Sequence, residues 1–354
     1  MPSAISVLVA GAAFTGWDSI SVTTSLGSVA ASLQLTGASA PARTLTASEP
    51  VEVRHESQTV FRGYLDDLDL AITKDSTSFA AGARSFAADM IDSQIDPIGG
   101  PGPLSNQTIE SVVRRYQEAI SRVTPVDASL LASSLRIPEF AYNPGETYWA
   151  AIERALRFDG VLATAGASGG IRLITPSRFE RLPLQLREGD NVQAMRVSTS
   201  WKSRAHFNIA RGQGSPGGDW ETQLEVLGEA TDESVRRSRV HVYQVEGAPT
   251  AQECRARAEW EQAVRAARGS RVTVTVPEWN YDVQGSIYRP GMIAPVALPS
   301  IGVSGSLVIE SVRLTLSNDA RLTQLTLVRR DAYVPQPQLT EESDTVAASW
   351  GGAS

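Results

Sequence analysis

The sequence predicts a mainly β protein of the α+β class, in which two β-rich blocks flank a small α/β module. Short runs of alternating or β-branched residues fill the first and last parts of the chain. Helical periodicity is confined to the middle and to one later segment, and glycine- and proline-rich breaks separate these regions. The length of 354 residues fits about two or three domains.

The first block, residues 1–97, reads as a series of short strands separated by turn-forming residues. The predicted strands cover residues 5–9, 19–24, 31–35, 51–54, 60–65 and 77–85. A hairpin is expected at residues 56–59, between two of these strands. Short strands at regular spacing are typical of a barrel or a sandwich. Residues 96–103, which are rich in glycine and proline, end the block.

The middle module, residues 98–182, has two predicted helices and a hairpin. The first helix opens at residues 105–108 and ends near residue 121, because five apolar residues fall on one helical stripe. Thr147 is the expected N-cap of a second helix over residues 148–158. The stripe of the first helix is Ile109, Val112, Val113, Tyr116 and Ile120, and that of the second is Trp149, Ile152 and Leu156. Strands at residues 161–164 and 171–175 then form the hairpin.

The second block, residues 183–335, returns to strands. The predicted elements are strands at residues 191–200 and 206–212, a helix at residues 250–268 that interrupts the sheet, and further strands from residue 271. Residues 336–354 are polar and rich in small side chains, so we expect a flexible tail that only a partner would order.

Charge and cysteine content narrow the classes of function. The net charge of −7 argues against a surface that holds nucleic acid phosphates, although DNA could still pass nearby without sticking. The single cysteine, Cys254, excludes an internal disulfide framework and a multi-cysteine zinc site, and we expect a buried thiol on a helix. No basic start precedes the first apolar run, and no run approaches the ~20 apolar residues of a membrane span. We therefore expect a chain made and folded in the cytoplasm, without membrane insertion.

One segment, Gly166-Ala-Ser-Gly-Gly170, formally matches the nucleophile elbow of serine hydrolases. That motif needs a strand-to-helix turn that presents the serine, together with a histidine base later in the chain. Here Ser168 falls between two predicted strands, which favours a glycine-rich hairpin loop. His206 and His241 follow in the sequence without supporting context.

The remaining candidates for chemistry are scattered. The histidines His55, His206 and His241 form no metal-ligand spacing. The acidic run of Asp66, Asp67 and Asp69 could serve acid–base work or calcium, but a solvated strand end or loop fits it better. The glycine-rich residues 212–218 lack the Gly-Lys-Ser/Thr of a phosphate-binding loop. The tryptophans considered are Trp17, Trp149, Trp201, Trp220, Trp260 and Trp279. Their expected role is core or interface packing, with sugar stacking as the alternative. No catalytic, cofactor-binding or metal-binding residue is therefore assigned, and no cofactor is expected.

Three segments, taken in order, resemble the baseplate hub proteins of Mu-like phage tails. The first is residues 60–68 followed by residues 78–92, with a Gly-Ala-Arg-Ser stretch and a turn of helix. The second is residues 144–157 with the hairpin that follows. The third is residues 276–279, residues 287–291 and the closing strands. Where this family usually has Gly-Trp, the chain has Glu278-Trp279. The family is related in fold to the hubs of other contractile tails and to the hub part of type VI secretion spikes.

The resemblance implies a structural protein of the virion rather than an enzyme. It implies two β-barrel-like, tube-forming domains at residues 1–97 and 183–335, on either side of the module at residues 98–182. It further implies a homotrimer whose pseudo-sixfold ring joins the hexameric tail tube to the trimeric central spike and lets DNA pass on ejection. Baseplate wedge and tape-measure proteins are the other implied partners, and Asp66, Asp67 and Asp69 could line the channel.

Two other classes of function remain open at this stage. A cell-wall hydrolase or esterase would depend on Ser168, and a carbohydrate-binding tail protein would depend on exposed tryptophans. Replacement of Ser168 by alanine separates the hub from the enzyme, because a hub should assemble normally without that hydroxyl. Binding to a glycan array would favour the carbohydrate-binding protein.

Overall fold

The computed structural model describes residues 5–38, 45–120, 124–212, 225–245, 249–317 and 320–337. Contacts within the chain divide it into two compact units. The first unit joins Met1–Thr199 to Ser270–Pro335, and the second is built on Ser200–Gly269. The described residues form 21 strands and four α-helices, which confirms the predicted mainly β class.

The first block contains every strand that the sequence predicts for it. Its elements are β1 (Ile5–Val9), β2 (Ala12–Phe14), β3 (Ser19–Ser25), β4 (Ser28–Gly37), β5 (Pro50–His55), β6 (Gln58–Ile72), β7 (Thr77–Ser85) and the short helix α1 (Ala88–Asp92). The predicted hairpin between β5 and β6 is confirmed, with His55 opposite Gln58. Strand β6 continues seven residues beyond its predicted end at Leu65 and reaches Ile72.

The middle module has its own hydrophobic core. Its elements are β8 (Leu104–Thr108), α2 (Ile109–Ile120), β9 (Val126–Leu130), β10 (Arg136–Phe140), α3 (Tyr148–Arg157), β11 (Leu162–Ala165) and β12 (Ile171–Ile174). Both predicted helices are present, and the Thr147 hydroxyl accepts a hydrogen bond from Ala150 N at 3.1 Å, as expected of an N-cap. Residues 105–108, predicted to open the first helix, belong instead to strand β8, because they pair with β10.

Along the sequence, the remaining elements lie before, within and after the second compact unit. Strands β13 (Leu186–Arg187) and β14 (Ala194–Thr199) precede it. The unit itself contains β15 (Phe207–Gly212), β16 (Val226–Thr231), β17 (Val240–Gln244) and α4 (Ala251–Arg268). Strands β18 (Ser270–Pro277), β19 (Ile293–Leu298), β20 (Val303–Ser317) and β21 (Ala320–Val328) follow it.

The second unit is a three-stranded sheet covered by one helix. Helix α4 begins at a capping box in which Thr250 and Glu253 exchange hydrogen bonds, and it packs on β15 and β16. Small side chains, including Ala210, Cys254 and Ala258, form the contact. The predicted helix and the predicted buried thiol are therefore confirmed. In the described part of the chain, no helix is long and apolar enough to cross a membrane.

A 13-stranded sheet joins the first block to the strands that precede and follow the second unit in the sequence. Its strands run in the order β14-β18-β21-β20-β3-β4-β7-β6-β5-β1-β2, with β19 and β13 beside β20. The order is an open path in the described residues, because β14 and β2 each pair on one side only. The sheet of the single chain is therefore not closed into barrels, whereas the predicted mainly β class is confirmed. The domain boundaries predicted at residues 97/98, 182/183 and 335/336 stay predictions.

The two halves of this sheet repeat one pattern of strands. In the first block, the neighbours run β3-β4-β7-β6-β5-β1. In the second block, they run β14-β18-β21-β20-β19-β13, and each strand takes the place of its counterpart in chain order. Strands β5, β6 and β7 have 6, 15 and 9 residues, and so do β19, β20 and β21. The repeat differs in one pairing: β1 lies antiparallel to β5, whereas β13 lies parallel to β19.

Candidate functional site

The large sheet presents two chemically different faces. Apolar residues alternate along its strands and form one continuous core, with Leu35, Val274 and Leu325 fully buried. The intervening residues point to the opposite surface. We call this surface the polar face, and it includes Ser21, Thr23, Gln34, Thr36, Thr273, Thr275, Ser311 and Thr315. Small hydroxyl and amide side chains are thus frequent on the side of the sheet away from the core, which also carries Arg196 and Arg313.

Trp279 anchors the core of the first unit from the second block. Its side chain is fully buried, and its indole Nε1 donates a hydrogen bond to the Thr315 carbonyl oxygen at 2.8 Å. The preceding residue, Glu278, has φ 62°, a left-handed conformation that favours glycine. A glycine adopts this conformation without strain, which fits the Gly-Trp that the baseplate hub family of the sequence comparison usually has at this place. Here the Glu278 carboxylate lies 2.8 Å from the Arg321 guanidinium.

The three aspartates of the acidic run do not form one site. Asp66 lies 2.6 Å from the Arg84 guanidinium, which also lies 2.6 Å from Asp92. The hydrogen bond from Arg84 holds the pKa of Asp92 below its ordinary value. Asp67 and Asp69 instead lie exposed on strand β6. They pair with Gly82 and Ala80 of β7, on the side of the polar face. In the described parts of the chain, no three acidic, histidine or cysteine residues gather in a way that could hold a metal ion.

Ser168 lies in the turn between β11 and β12, which confirms the predicted hairpin loop. Gly166 N donates a hydrogen bond to the Gly170 carbonyl oxygen at 2.8 Å, so the turn leads from strand to strand rather than from strand to helix. Ser168 also lines a cavity of about 410 Å³. No histidine is among the described residues that line this cavity, so the structure offers Ser168 no imidazole base there.

The three histidines occupy separate places. His55 is buried in the first unit, with its ring centroid 5.7 Å from that of Trp279. His206 and His241 belong to the second unit, where His206 Nδ1 lies 2.9 Å from the Asp232 carbonyl oxygen. Burial lowers the pKa of both His55 and His241.

The remaining candidates from the sequence, Cys254 and the tryptophans, contribute mainly to packing. Burial raises the pKa of the Cys254 thiol, as expected of an unreactive core cysteine. Trp17, Trp149 and Trp260 are partly buried, whereas Trp201 is 44% exposed. Trp220 and most of the glycine-rich residues 212–218 lie outside the described residues. The same holds for most of the predicted tail at residues 336–354.

Sequence reasoning missed a row of exposed apolar side chains at the end of β6. Leu68, Leu70 and Ile72 are 39%, 53% and 71% exposed, respectively. They alternate with Asp67, Asp69 and Ala71, a period of two that indicates a strand. The aspartates between them make this stretch resemble a solvated acidic run in the sequence. Val197 of β14 is a further exposed apolar residue at an edge of the same sheet.

Family models of phage baseplate proteins match the chain in three consecutive regions. The model for the N-terminal domain of Mu phage baseplate assembly protein GpP-like proteins matches residues 4–85. The model for the second domain of baseplate hub protein gp44-like proteins matches residues 87–175. The model for the fourth domain of Mu phage baseplate assembly protein GpP matches residues 250–336.

Whole-chain comparisons agree with these matches. The chain is 27% identical to the baseplate hub protein gp44 of Escherichia phage Mu over 346 residues, 94% of this chain and 90% of that protein. Its fold resembles the 43 kDa tail protein of prophage MuSo2 from Shewanella oneidensis (TM-score 0.78, 22% identity, 94% and 99% of the two chains). It also resembles a tail protein from Neisseria meningitidis MC58 (TM-score 0.76, 17% identity, 95% and 99%).

A more distant structural neighbour is the E. coli c3393 protein, a type VI secretion component described as similar to the T4 tail proteins gp27 and gp5 (TM-score 0.53, 11% identity, 94% and 79% of the two chains). This likeness concerns the fold alone. It agrees with the expected relation to contractile-tail hubs and secretion spikes. The three domain matches in order and the full-length similarity to gp44 establish the family: the chain belongs to the Mu-like phage baseplate hub proteins, structural components of the virion tail.

Proposed function

We propose that three copies of the chain form a ring with pseudo-sixfold symmetry, which joins the hexameric tail tube to the trimeric central spike. The observation that carries this proposal is the repeated strand order of the large sheet. Each chain presents the same strand order twice, once in β1 and β3–β7 and once in β13, β14 and β18–β21. Three chains therefore supply six similar blocks, while the symmetry of the chains themselves remains threefold.

The two symmetries serve the two ends of the ring. Six similar blocks can each contact one subunit of a sixfold tube, whereas the parts that occur once per chain can contact a threefold spike. The middle module and the second unit are such parts, because each occurs once in the chain. The remaining proposed neighbours are wedge proteins around the ring and the tape-measure protein within the tail. Assembly of this contractile-tail baseplate takes place in the host cytoplasm.

We assign the channel of the ring to the polar face of the large sheet. The short hydroxyl side chains of Ser21, Thr23 and Thr315 carry no positive charge for phosphate groups to bind, and Arg313 is the cation that lies beside Thr23 on this face. Asp67 and Asp69 add exposed negative charge on the same side, whereas Asp66 is paired with Arg84. DNA would then pass during ejection without being held.

The mass of the full-length chain in solution tests the ring. Measured alone and after purification with its spike protein, the chain should reach the mass of a trimer in at least one of the two preparations. A monomer in both would contradict the proposal. The Ser168→Ala variant should behave as the wild type does, since assembly requires no hydroxyl in the β11–β12 turn. Loss of infectivity in that variant with normal assembly would instead favour a hydrolase.

Charge reversal tests the channel. Virions that carry Asp67→Lys should assemble normally but deliver their genome more slowly, because phosphates would then bind in the channel. The matched control is Glu118→Lys, which makes the same change of charge on helix α2 of the module. Equal delivery rates for the two variants would contradict the assignment of the polar face to the channel.

A further inference from the structure

The strand pair that joins the two blocks within one chain provides a template for a junction between chains. Residues 311–317 of β20 pair antiparallel with β3. Leu314 lies opposite Val22 in this pairing, and Leu316 lies opposite Ile20. Ile20, Val22 and Leu314 are all buried. The junction therefore continues the hydrophobic core from one block into the other.

Strands β20 and β3 each have a counterpart in the other block. Both counterparts have an edge that pairs with no strand in the described part of the chain. By the repeated strand order, β6 corresponds to β20 and β14 corresponds to β3. Strand β5 and the residues just before it cover β6 only as far as Leu65, and beyond this point β6 pairs only with β7 in the described part of the chain. Among the same residues, β14 pairs only with β18. Each chain thus carries one half of a junction at each of two separate edges.

A β-bulge fixes how β6 aligns with β20. Both long strands contain one extra residue opposite the following strand, at Asp66 in β6 and at Glu310 in β20. Alignment of the two bulges places Leu70 at the position of Leu314. Leu70 is consequently the residue of β6 that should face the counterpart of Val22.

The neighbouring strands fix how β14 aligns with β3. Val22 lies opposite Leu33 of β4, and Val197 lies opposite Val272 of β18. Leu33 and Val272 each pair with a residue of the next strand in the sheet. In both blocks, that residue pairs in turn with the long strand, β6 or β20, immediately before its bulge. Val197 is therefore the counterpart of Val22, and the pair Leu314–Val22 translates into Leu70–Val197.

The exposed residues at both edges lie on the side of the core. Leu70 pairs with Phe79 and Val197 pairs with Val272, and both of these partners are buried. Leu70 is nevertheless 53% exposed and Val197 is 37% exposed, whereas their counterparts in the internal junction are buried. The apolar pattern of a core strand is thus kept at two edges that nothing in the described chain covers.

We propose that β6 of one copy pairs antiparallel with β14 of a second copy, in the register of the internal junction. The proposed opposite residues are Leu68 and Thr199, Asp69 and Ser198, Leu70 and Val197, Ala71 and Arg196, and Ile72 and Met195. Leu68, Leu70 and Ile72 become buried in a core that runs from one copy to the next. On the polar face, Arg196 comes to lie diagonally beside Asp69, which adds an attraction between opposite charges.

This pairing uses different surfaces of the two copies, so each added copy exposes a fresh β14 or β6 edge until a ring closes. The inference rests on the proposed ring, and it specifies which strands form the contact between chains. Closure of three copies would turn the open sheet of the single chain into a continuous one and remove both edges.

Disulfide trapping of the full-length chain tests the proposed register. The variant Leu70→Cys with Val197→Cys should cross-link between copies under mild oxidation and yield covalent dimers and closed trimers. The matched control is Leu70→Cys with Arg196→Cys, in which the second thiol points to the other face of β14. Since a disulfide needs Cβ atoms about 4 Å apart, we expect roughly tenfold less cross-linking in the control. The natural Cys254 is buried and common to both variants.

Single variants separate the proposed contact from a symmetric one. The Leu70→Cys chain alone should not cross-link, whereas a mixture of Leu70→Cys chains and Val197→Cys chains should yield dimers and no covalent trimers. Equal cross-linking of the two double variants, efficient cross-linking of Leu70→Cys alone, or no cross-linked species at all would overturn the inference. A wild-type trimer without these cross-links would overturn the strand pairing alone, whereas a wild-type monomer with and without the spike would overturn the proposed ring as well.

Discussion

Strands β6 and β20 have the same length and the same place in their blocks, yet their second halves lie in opposite environments. Leu314 of β20 is buried against β3, whereas Leu70 of β6 is 53% exposed. Both strands keep apolar residues at alternate positions on the side of the core. Their difference in burial follows from the neighbouring strand and not from the composition of the strand itself. The second half of β20 has its partner strand within the chain, whereas the second half of β6 has the features of a strand whose partner belongs to another copy.

The largest expected effect separates these two environments directly. Leu314→Asp places an unpaired carboxylate in the core and should lower the free energy of unfolding by about 3–5 kcal/mol. Leu70→Asp changes an exposed position and should lower the unfolding free energy of the single chain by less than about 0.5 kcal/mol. Urea unfolding with a spectroscopic readout measures both values.

Assembly should respond in the opposite order to these two substitutions. Leu70→Asp should prevent trimer formation in sedimentation experiments while the chain remains folded, because the new charge would be buried in the contact between copies. A Leu70→Asp chain that unfolds as easily as Leu314→Asp would show that β6 is already covered, and the comparison of the two strands would fail.

Local sequence signals predicted many of the individual elements. The strand at residues 77–85 agrees with β7, the predicted N-cap Thr147 marks the start of α3, and the helix predicted from residue 250 agrees with α4. Each of these signals is contained within a few consecutive residues, since alternation and capping depend on neighbours in the chain. The turn at Ser168 was predicted in the same way, from the strands on either side of it.

Pairing between distant strands could not be predicted from such signals. Strand β3 pairs with β20 across most of the length of the chain, and β14 pairs with β18 across the whole second unit. No residue of either strand specifies its distant partner, because any apolar alternation can face any other. The repeated strand order depends on these pairings. The repeat therefore cannot be recognised from the sequence of either block alone, and the candidate contact at Leu70 and Val197 follows only from the structure.

A medium effect concerns the turn that carries Trp279 from the second block into the shared core. Glu278 precedes it with φ 62°, a conformation that costs most residues about 1–2 kcal/mol relative to glycine. Glu278→Gly should therefore be more stable than Glu278→Ala by about 1 kcal/mol, since both variants lose the ion pair with Arg321 equally. Thermal unfolding of the two variants measures this difference. Equal stabilities would mean that the turn relaxes, and that the second block holds Trp279 less rigidly than the backbone indicates.

The smallest expected effect appears only in acid, and it concerns the contact between His55 of the first block and Trp279 of the second. Burial lowers the pKa of His55 in the folded chain below its ordinary value of 6.5. The unfolded chain therefore binds more protons below that value, and the folded state loses stability as the pH falls from 6.5 through the lowered pKa. In a variant with His55→Gln, the loss of stability between pH 7.5 and pH 5 should be smaller than in the wild type, because glutamine does not titrate. Urea unfolding at both pH values, on both proteins, cancels the cost of the substitution itself. An identical loss in the two proteins would show that His55 is charged without penalty in the fold, which a closed core between the two blocks does not allow.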